Sequence, residues 1–265
     1  MPNLKKITIH TTAIIEGVGD GDSYIEIVDG QFEKRFQQFF EICLPEDAVA
    51  FDIGANIGII SVILGKMRPA GDVFAFEAGE HVCHVLRNNI ARNHLPRVHA
   101  LQTAVANYDG TISFNENSAY GHAVDEAVAT QGTGLVTVPC KTIDTLAATY
   151  SPHRLDLIKL DIEGFEPQAL EGATRTIADL DPIFLMEINP WCIENYGKVN
   201  CREFVGKIFD QFKNVFIINK NWHEEMPLRR ITLDELFTAI ETSENLFVDD
   251  LVFSNGDTVL KAVQP

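Results

Sequence analysis

From residue 48 onward, short apolar runs alternate with segments whose apolar residues recur at helical spacing, and this alternation restricts the fold more than any other feature. "AVAFDIG" reads as a buried strand and "GIISVILGKM" as a helix; "DVFAFEA" and "EHVCHVLRNNIARN" repeat the pair, and "RVHALQTAVA" adds a third strand. The pattern resumes later with strand "RLDLIKLDIEG", helix "EPQALEGATRTIADL" and strand "PIFLMEI". Helix "CREFVGKIFDQF", strand "NVFIIN", helix "LDELFTAIET" and strand "LFVDDLVFSN" complete it. Strands linked through helices at this rhythm predict an α/β fold with a doubly wound, Rossmann-like sheet, mostly parallel with helices on both faces. The last strand is expected to run antiparallel.

Two regions depart from the rhythm. Residues 1–47 form an N-terminal extension expected to pack on the core, with 48–265 as one globular unit. In the extension, "KKITIH" and "YIEIV" read as β segments on either side of the turn-rich "EGVGDGDS". A helix follows over 31–44, with Phe32, Phe36, Phe39, Phe40 and Leu44 on a core-facing side; Phe39 or Phe40 is also a candidate roof for a pocket. Within the second unit, "NYDGTISF" and "GLVTVPC" predict paired strands, and the stretch 115–134 between them has no period. A loop of that length inside a compact domain is usually a functional lid or disordered, and substrate choice is expected to reside there.

Charge narrows the function classes. Lys and Arg total 21 against 38 Asp and Glu, a net charge of −17, and such a field repels phosphate backbones; nucleic acid is not expected as a partner. The five cysteines form no CxxC pair and are odd in number, which predicts reduced, buried thiols rather than a disulfide framework or zinc cage. No apolar stretch approaches membrane-spanning length and the N-terminus has no apolar leader core, so a cytoplasmic protein without a membrane span is expected.

The turn after the first strand of the alternation carries the chemistry. Its pattern is D-x-G-x-N-x-G, from Asp52 through Gly54 and Asn56 to Gly58. Gly54 permits a sharp turn and close approach of a ligand, Gly58 permits close packing of the next helix, and amides at a helix start can receive an anion. A dinucleotide site wants G-x-G-x-x-G; here Asn56 stands where a pyrophosphate would be most crowded. Asp52 suits a cationic group such as the ammonium of an amino acid. Glu77, 25 positions on at the end of the second strand, is where a carboxylate can accept hydrogen bonds from two ribose hydroxyls. A ribonucleoside with an ammonium group and no phosphate describes S-adenosylmethionine. The rivals are a nicotinamide-dependent oxidoreductase on a similar sheet and a non-catalytic module that keeps the pocket.

"DIGANIG", the "FEA" after the second strand and "DLIKLDIEGFEPQALEGA" together resemble the FkbM-type methyltransferases, in motif order and spacing over roughly residues 45–190. The resemblance implies S-adenosylmethionine-dependent methylation of a hydroxyl on a sugar, glycan or natural product. It implies cofactor contacts at Asp52, Gly54, Ala55, Asn56, Gly58, Glu77 and Ala78, with Thr103 and Ala104 beside the adenine and Asp161 facing the methionine part and the acceptor. The sequence departs from the family at "FEAGE", where a proline more often follows the acidic residue, and in the insertion at 115–134.

Methyl transfer to an alcohol needs alignment, exclusion of water and a base. Asp161, Glu163 and Glu166 follow one strand; Lys159 shares a face with Asp161 by the two-residue period, and Glu187 and Asn189 end the next strand. Clustered carboxylates can raise one member's pKa and make it a usable base, so Asp161, Glu163 and Glu187 are the candidate catalytic residues, with Asp161 or Glu163 read as the base. Glu166 is read as serving the start of the next helix. Asp161, Glu187 and Asn189 also form a possible oxygen set for a divalent metal, which is not favoured. "NPW" at 189–191 follows the fifth strand rather than the fourth, so nitrogen methylation is discounted. Trp191 and Trp222 are candidate linings for an acceptor pocket. His122, beside Tyr120 in the irregular loop, is a possible acceptor contact, while His81, His84 and His223 are read as structural.

Overall fold

A computed structural model describes residues 4–8, 12–18, 25, 34–116, 121–124, 135–151, 153–218, 228–242 and 248–263. The chain opens with strands β1 (Leu4–Thr8) and β2 (Thr12–Glu16) and helix α1 (Lys34–Cys43). The alternation then runs β3 (Val49–Ile53), α2 (Ile59–Met67), β4 (Asp72–Glu77), α3 (Glu80–Arg92) and β5 (Val98–Gln102). Four strands follow, β6 (Ala104–Val105), β7 (Gly110–Asn115), β8 (His122–Val124) and β9 (Leu135–Lys141), then α4 (Ile143–Tyr150) and β10 (Leu157–Leu160). Next come α5 (Glu166–Glu171), α6 (Thr174–Leu180), β11 (Ile183–Ile188), α7 (Pro190–Asn195) and α8 (Cys201–Gln211). The chain closes with β12 (Asn214–Ile218), β13 (Leu228–Arg230), α9 (Leu233–Thr242), β14 (Val248–Ser254) and α10 (Thr258–Val263).

Eight strands build one sheet in the order β13-β12-β14-β11-β10-β3-β4-β5. β3, β4, β5, β10 and β11 pair in parallel, and β14 inserts antiparallel between β11 and β12. The fold is therefore the doubly wound, Rossmann-like α/β architecture expected from the alternation, with its last strand antiparallel. Strand order reverses between β3 and β10, and the crevice beyond their carboxyl ends is where such sheets bind ligands. One apolar cluster fills each face. The first joins α1, α2 and α3 to the sheet through Phe39, Phe40, Ile63 and Leu86; the second joins the later helices through Ile177, Val205, Ile208 and Leu236.

The β1–β2 hairpin is tied to α3 by two buried asparagines that imitate a neighbouring strand. Asn93 accepts from the Ile14 amide at 3.0 Å and donates to its carbonyl at 2.8 Å; Asn89 does the same with Glu16 at 2.7 and 2.9 Å. All five cysteines are free and buried, and no helix among the described residues is long and apolar enough to cross a membrane.

The structure differs from the sequence reading in four respects. "RVHALQTAVA" is divided: β5 stays in the main sheet, while β6 joins a separate sheet ordered β6-β9-β7-β8. The single helix expected after β10 breaks at Gly172, where a side chain would meet the Ala106 carbonyl oxygen at 2.5 Å. β8 forms inside the stretch expected to be aperiodic, the rest of which, at 117–120 and 125–134, lies outside the described residues along with Tyr120, Trp222 and His223. "TAIIE" supplies a strand that was not expected; of "YIEIV" only the buried Ile25 is described.

Candidate active site

The turn after β3 is assembled from its own backbone. The amides of Gly54 and Ala55 both donate to the Phe76 carbonyl at 3.0 Å, and Gly58 donates to Ala55 at 2.8 Å. The Asn56 amide donates to Glu77 Oε2 at 2.9 Å, and the Ile57 amide to the Asn56 side chain at 2.8 Å. Every amide from Gly54 to Gly58 thus has a protein partner. Gly54, at φ +76°, is forced: a side chain would lie 1.7 Å from the Asp161 carbonyl oxygen. Gly58, at φ +91°, makes room for Leu86 of α3 rather than for the strand. Asn56 also takes a left-handed φ of 51°, which its short polar side chain tolerates.

Beyond this turn lies a cavity of about 210 Å³ at the switch point. Gly54, Ala55, Asn56, Glu77, Ala78, Thr103, Ala104, Asp161, Glu163 and Glu187 line it, as does Lys159. Asp52 and Gly58 do not. Asp52 is fully buried, accepts from Ser61 Oγ at 2.5 Å and lies 3.9 Å from Lys159 Nζ. Burial raises its pKa against the pull of Lys159. Lys159 donates to Asp161 Oδ2 at 3.0 Å and to the Gly54 carbonyl at 3.3 Å, stitching β10 to the turn. Thr103 lies between β5 and β6 and Ala104 opens β6, so neither ends a strand, and the Thr103 amide donates to the Glu77 carbonyl at 3.0 Å.

Two ends of the cavity differ in chemistry. At the β4 end, Glu77 accepts from Asn56 and from Gly79 at 2.8 Å, and burial pushes its pKa up to about 7. Small and apolar residues surround it: Ala78, Val82, Ala104 and Val105. At the other end, Asp161, Glu163 and Glu187 converge. Asp161 follows β10 and Glu187 lies in β11, each one residue beyond the registered pair Leu160–Met186. Glu187 is held well above the usual carboxylate range, first by the Asp161 charge, then by burial and by Asp250, Glu163 and Glu166. Glu163, at φ 53°, accepts from the Cys192 thiol at 3.2 Å, and burial raises its pKa too.

Glu166 and Asn189 serve local structure. Glu166 accepts from the amides of Ile162 at 2.8 Å and Gly164 at 3.3 Å, tightening the turn before its own helix. Asn189 caps α7 by accepting from the Cys192 amide at 3.1 Å and lies outside the cavity wall, so the structure does not bring it to Asp161 and Glu187 as an oxygen set. His122 stacks on Tyr196 with ring centres 3.8 Å apart, and the 57% exposed Trp191 meets Tyr196 edge-on at 5.1 Å. Gly121 and Ala123, on either side of His122, line the cavity, so β8 covers part of it.

Sequence reasoning missed the apolar lining, among it Ile60, Val82, Val105 and Phe114, and also the wall residues Arg35 and Phe36 of α1 and Asp250 of β14. Phe39 and Phe40, the candidate roof, are fully buried in the core one turn further along α1.

Comparison with known proteins accords with this geometry. The family model described as "Methyltransferase FkbM domain" matches residues 52–196, more than half of the chain. The chain belongs to the FkbM methyltransferase domain family. The matched FkbM segment runs from Asp52 at the end of β3 to Tyr196 at the end of α7, and so holds the glycine turn, Glu77 and the carboxylate end of the cavity. Among curated proteins, this FkbM-domain chain is 29% identical over 161 residues to "Methyltransferase sdnD" of Sordaria araneosa, covering 49% of this chain and 61% of that protein. It is 23% identical to "2-O-methyltransferase NoeI" of Sinorhizobium fredii, with coverages of 54% and 65%. It is 28% identical to "Hexuronic acid methyltransferase AglP" of Haloferax volcanii, with coverages of 51% and 54%. The alignments thus span less than two thirds of each of these relatives. Among solved structures, a methyltransferase FkbM from Methylobacillus flagellatus is similar at 17% identity and a TM-score of 0.48, covering 78% of this chain and 44% of that one.

Proposed function

We propose that this chain is an S-adenosylmethionine-dependent methyltransferase that acts on a hydroxyl of a sugar, glycan or other small molecule. The observation that carries the reading is the pairing of a self-satisfied glycine turn with the Glu77 carboxylate in one cavity wall. A dinucleotide site offers turn amides to a pyrophosphate, and here the amides of residues 54–58 are spent on protein acceptors. A carboxylate has about four acceptor sites, so Glu77 keeps acceptor capacity for ribose hydroxyls beyond the backbone amides it takes. Small residues at 54, 55, 78 and 104 leave room for a nucleoside, and Val82 and Val105 provide apolar flanks. These residues fit the cofactor, which when bound supplies a methyl group on a positively charged sulfur. Oxygen as the acceptor atom draws support from the similarity to the 2-O-methyltransferase NoeI, and a sugar acceptor from the similarity to the hexuronic acid methyltransferase AglP.

The protein's own tasks are binding, orientation and one proton. Glu77, Asn56 and Ala78 hold the nucleoside end, and β8 with the apolar wall keeps water out. Asp161 is committed to Lys159 and Glu163 to the Cys192 thiol. Glu187, facing the cavity among other carboxylates, takes the proton from the acceptor hydroxyl. Its raised pKa makes it a stronger base than an ordinary carboxylate, and it works only when deprotonated, so turnover rises with pH along a limb above the usual carboxylate range. Glu187→Gln is expected to lower kcat about a hundredfold and to remove that limb, with S-adenosylhomocysteine affinity unchanged. The test is transfer of labelled methyl from S-adenosylmethionine to a panel of glycosides and phenols, with the methylated atom located by NMR. Label on nitrogen, or an unaltered profile in the variant, contradicts the reading.

A further inference from the structure

Three residues of the cavity wall lie outside the family-matched segment, and they sit together. Arg35 Nη2 is 3.1 Å from Asp250 Oδ2, and the guanidinium carbon lies 4.8 Å from the centre of the Phe36 ring. Their foundation is firm. α1 is fixed by Phe39 and Phe40 in the core and by the buried Arg68, which donates to the Phe40 carbonyl at 2.5 Å. Asp250 is buried on β14, while the Arg35 side chain keeps 30% of its exposure. The registered pairs Ile188–Val248 and Met186–Leu251 bracket Glu187 and Asp250, so the Arg35–Asp250 pair stands at the carboxylate end of the cavity.

We propose that Arg35 and Asp250 form the acceptor-recognition wall, and that their ligand is an uncharged vicinal diol on a sugar ring. The proposal rests on the methyl-transfer reading and gives that site its substrate class. A guanidinium presents coplanar N–H donors and a carboxylate presents coplanar acceptors. Two adjacent hydroxyls can each accept from one and donate to the other, so the pair reads a diol without being separated. The pair carries no net charge to offset an ion. Next to it stand Asp161, Glu163 and Glu187, with Lys159 already bonded to Asp161. An anionic acceptor meets like charge there, and a lone ammonium would have to compete with Arg35 for Asp250. A deoxy analogue leaves part of the pair unmatched, a loss that discriminates more strongly than shape alone. Because both partners come from outside the matched segment, the wall belongs to this chain's specificity rather than to the shared cofactor machinery.

The test is NMR titration with methyl β-D-glucopyranoside, methyl α-D-mannopyranoside, their 2-deoxy analogues, D-glucuronate and D-glucosamine, with and without S-adenosylhomocysteine. Wild type is compared with Arg35→Ala, Arg35→Lys and Asp250→Asn, each checked for folding by its thermal transition. The expected result is saturable binding of at least one neutral pyranoside, at least tenfold weaker for its deoxy analogue and for Arg35→Ala and Asp250→Asn. Arg35→Lys should recover part of the loss, and S-adenosylhomocysteine affinity should not change in any variant. Preference for glucuronate or glucosamine, unchanged pyranoside affinity in the variants, or no pyranoside binding to wild type overturns the proposal. Arg35-dependent pyranoside binding by a wild type that fails to bind S-adenosylhomocysteine would support the diol wall while removing the methyl-transfer reading.

Discussion

Glu77 does two jobs with one carboxylate. Each of its oxygens takes a backbone amide, from Asn56 and from Gly79, so it shapes the turn as well as facing the cavity. Hydrogen bonds to charged groups contribute about 1.5–3 kcal/mol, so Glu77→Ala is expected to weaken S-adenosylhomocysteine binding by about tenfold to a hundredfold. Glu77→Gln should fall between, since its amide oxygen still accepts. Calorimetry on the three proteins checks the order; an alanine variant that binds like wild type removes Glu77 from the site. Glu77 and Asp52 were equally legible as carboxylates ending adjacent strands, yet only Glu77 reaches the cavity. What separates them is the buried Lys159 and Ser61 that hold Asp52 beneath the turn, and nothing local to Asp52 announces partners 9 and 107 positions away. Arg35, Phe36 and Asp250 were illegible for the same reason: a contact across 215 positions is made by tertiary packing, which leaves no periodic trace.

At the scale of elements, the strand–turn–helix unit at 49–67 is the most constrained piece of the chain. Gly54 combines a left-handed backbone with no room for a side chain: a Cβ there would lie 1.7 Å from the Asp161 carbonyl oxygen, a backbone atom that cannot swing aside. Strain at such a φ alone costs of order 1–3 kcal/mol, and the clash adds to it, so Gly54→Ala is expected to lose the cooperative thermal transition or lower it sharply. Gly206, inside α8, where an added Cβ would lie 3.8 Å from Leu233, an ordinary van der Waals contact, is the control. There alanine should leave stability unchanged or raise it by about 0.5–1 kcal/mol through helix propensity. Equal effects at both positions would contradict this account. The alternation of elements was readable because burial imposes period on strands and helices alike. The break at Gly172 was not, because it answers to the Ala106 backbone rather than to its own neighbours. Nor was the hairpin clamp, in which Asn89 and Asn93 look like ordinary polar residues of a helix.

For the whole molecule, buried carboxylates couple stability to pH. Burial raises Glu77 and Glu166 to about 7 and Asp250 to about 6. A carboxyl with a folded pKa above its unfolded value holds its proton more tightly when folded. That contribution is therefore complete below the ordinary carboxylate range and is lost as pH rises through about 7. The thermal midpoint of the ligand-free protein is expected to fall between pH 5 and pH 8, and Glu166→Gln, which removes one such titration, should flatten the decline. A midpoint that rises over this window contradicts the assignment. Asp47, Asp109 and Asp144, held low by their hydrogen bonds, act in the opposite sense and only at more acidic pH.

The central claim is that the cavity at the switch point accepts an adenosyl amino acid and not a dinucleotide. Calorimetric titration of the wild-type protein with S-adenosylhomocysteine and, separately, with NADH tests it most directly. Saturable binding of S-adenosylhomocysteine alone is the result predicted. Binding of NADH in its place would contradict the claim and make the turn at residues 54–58 a dinucleotide site that works without free amides.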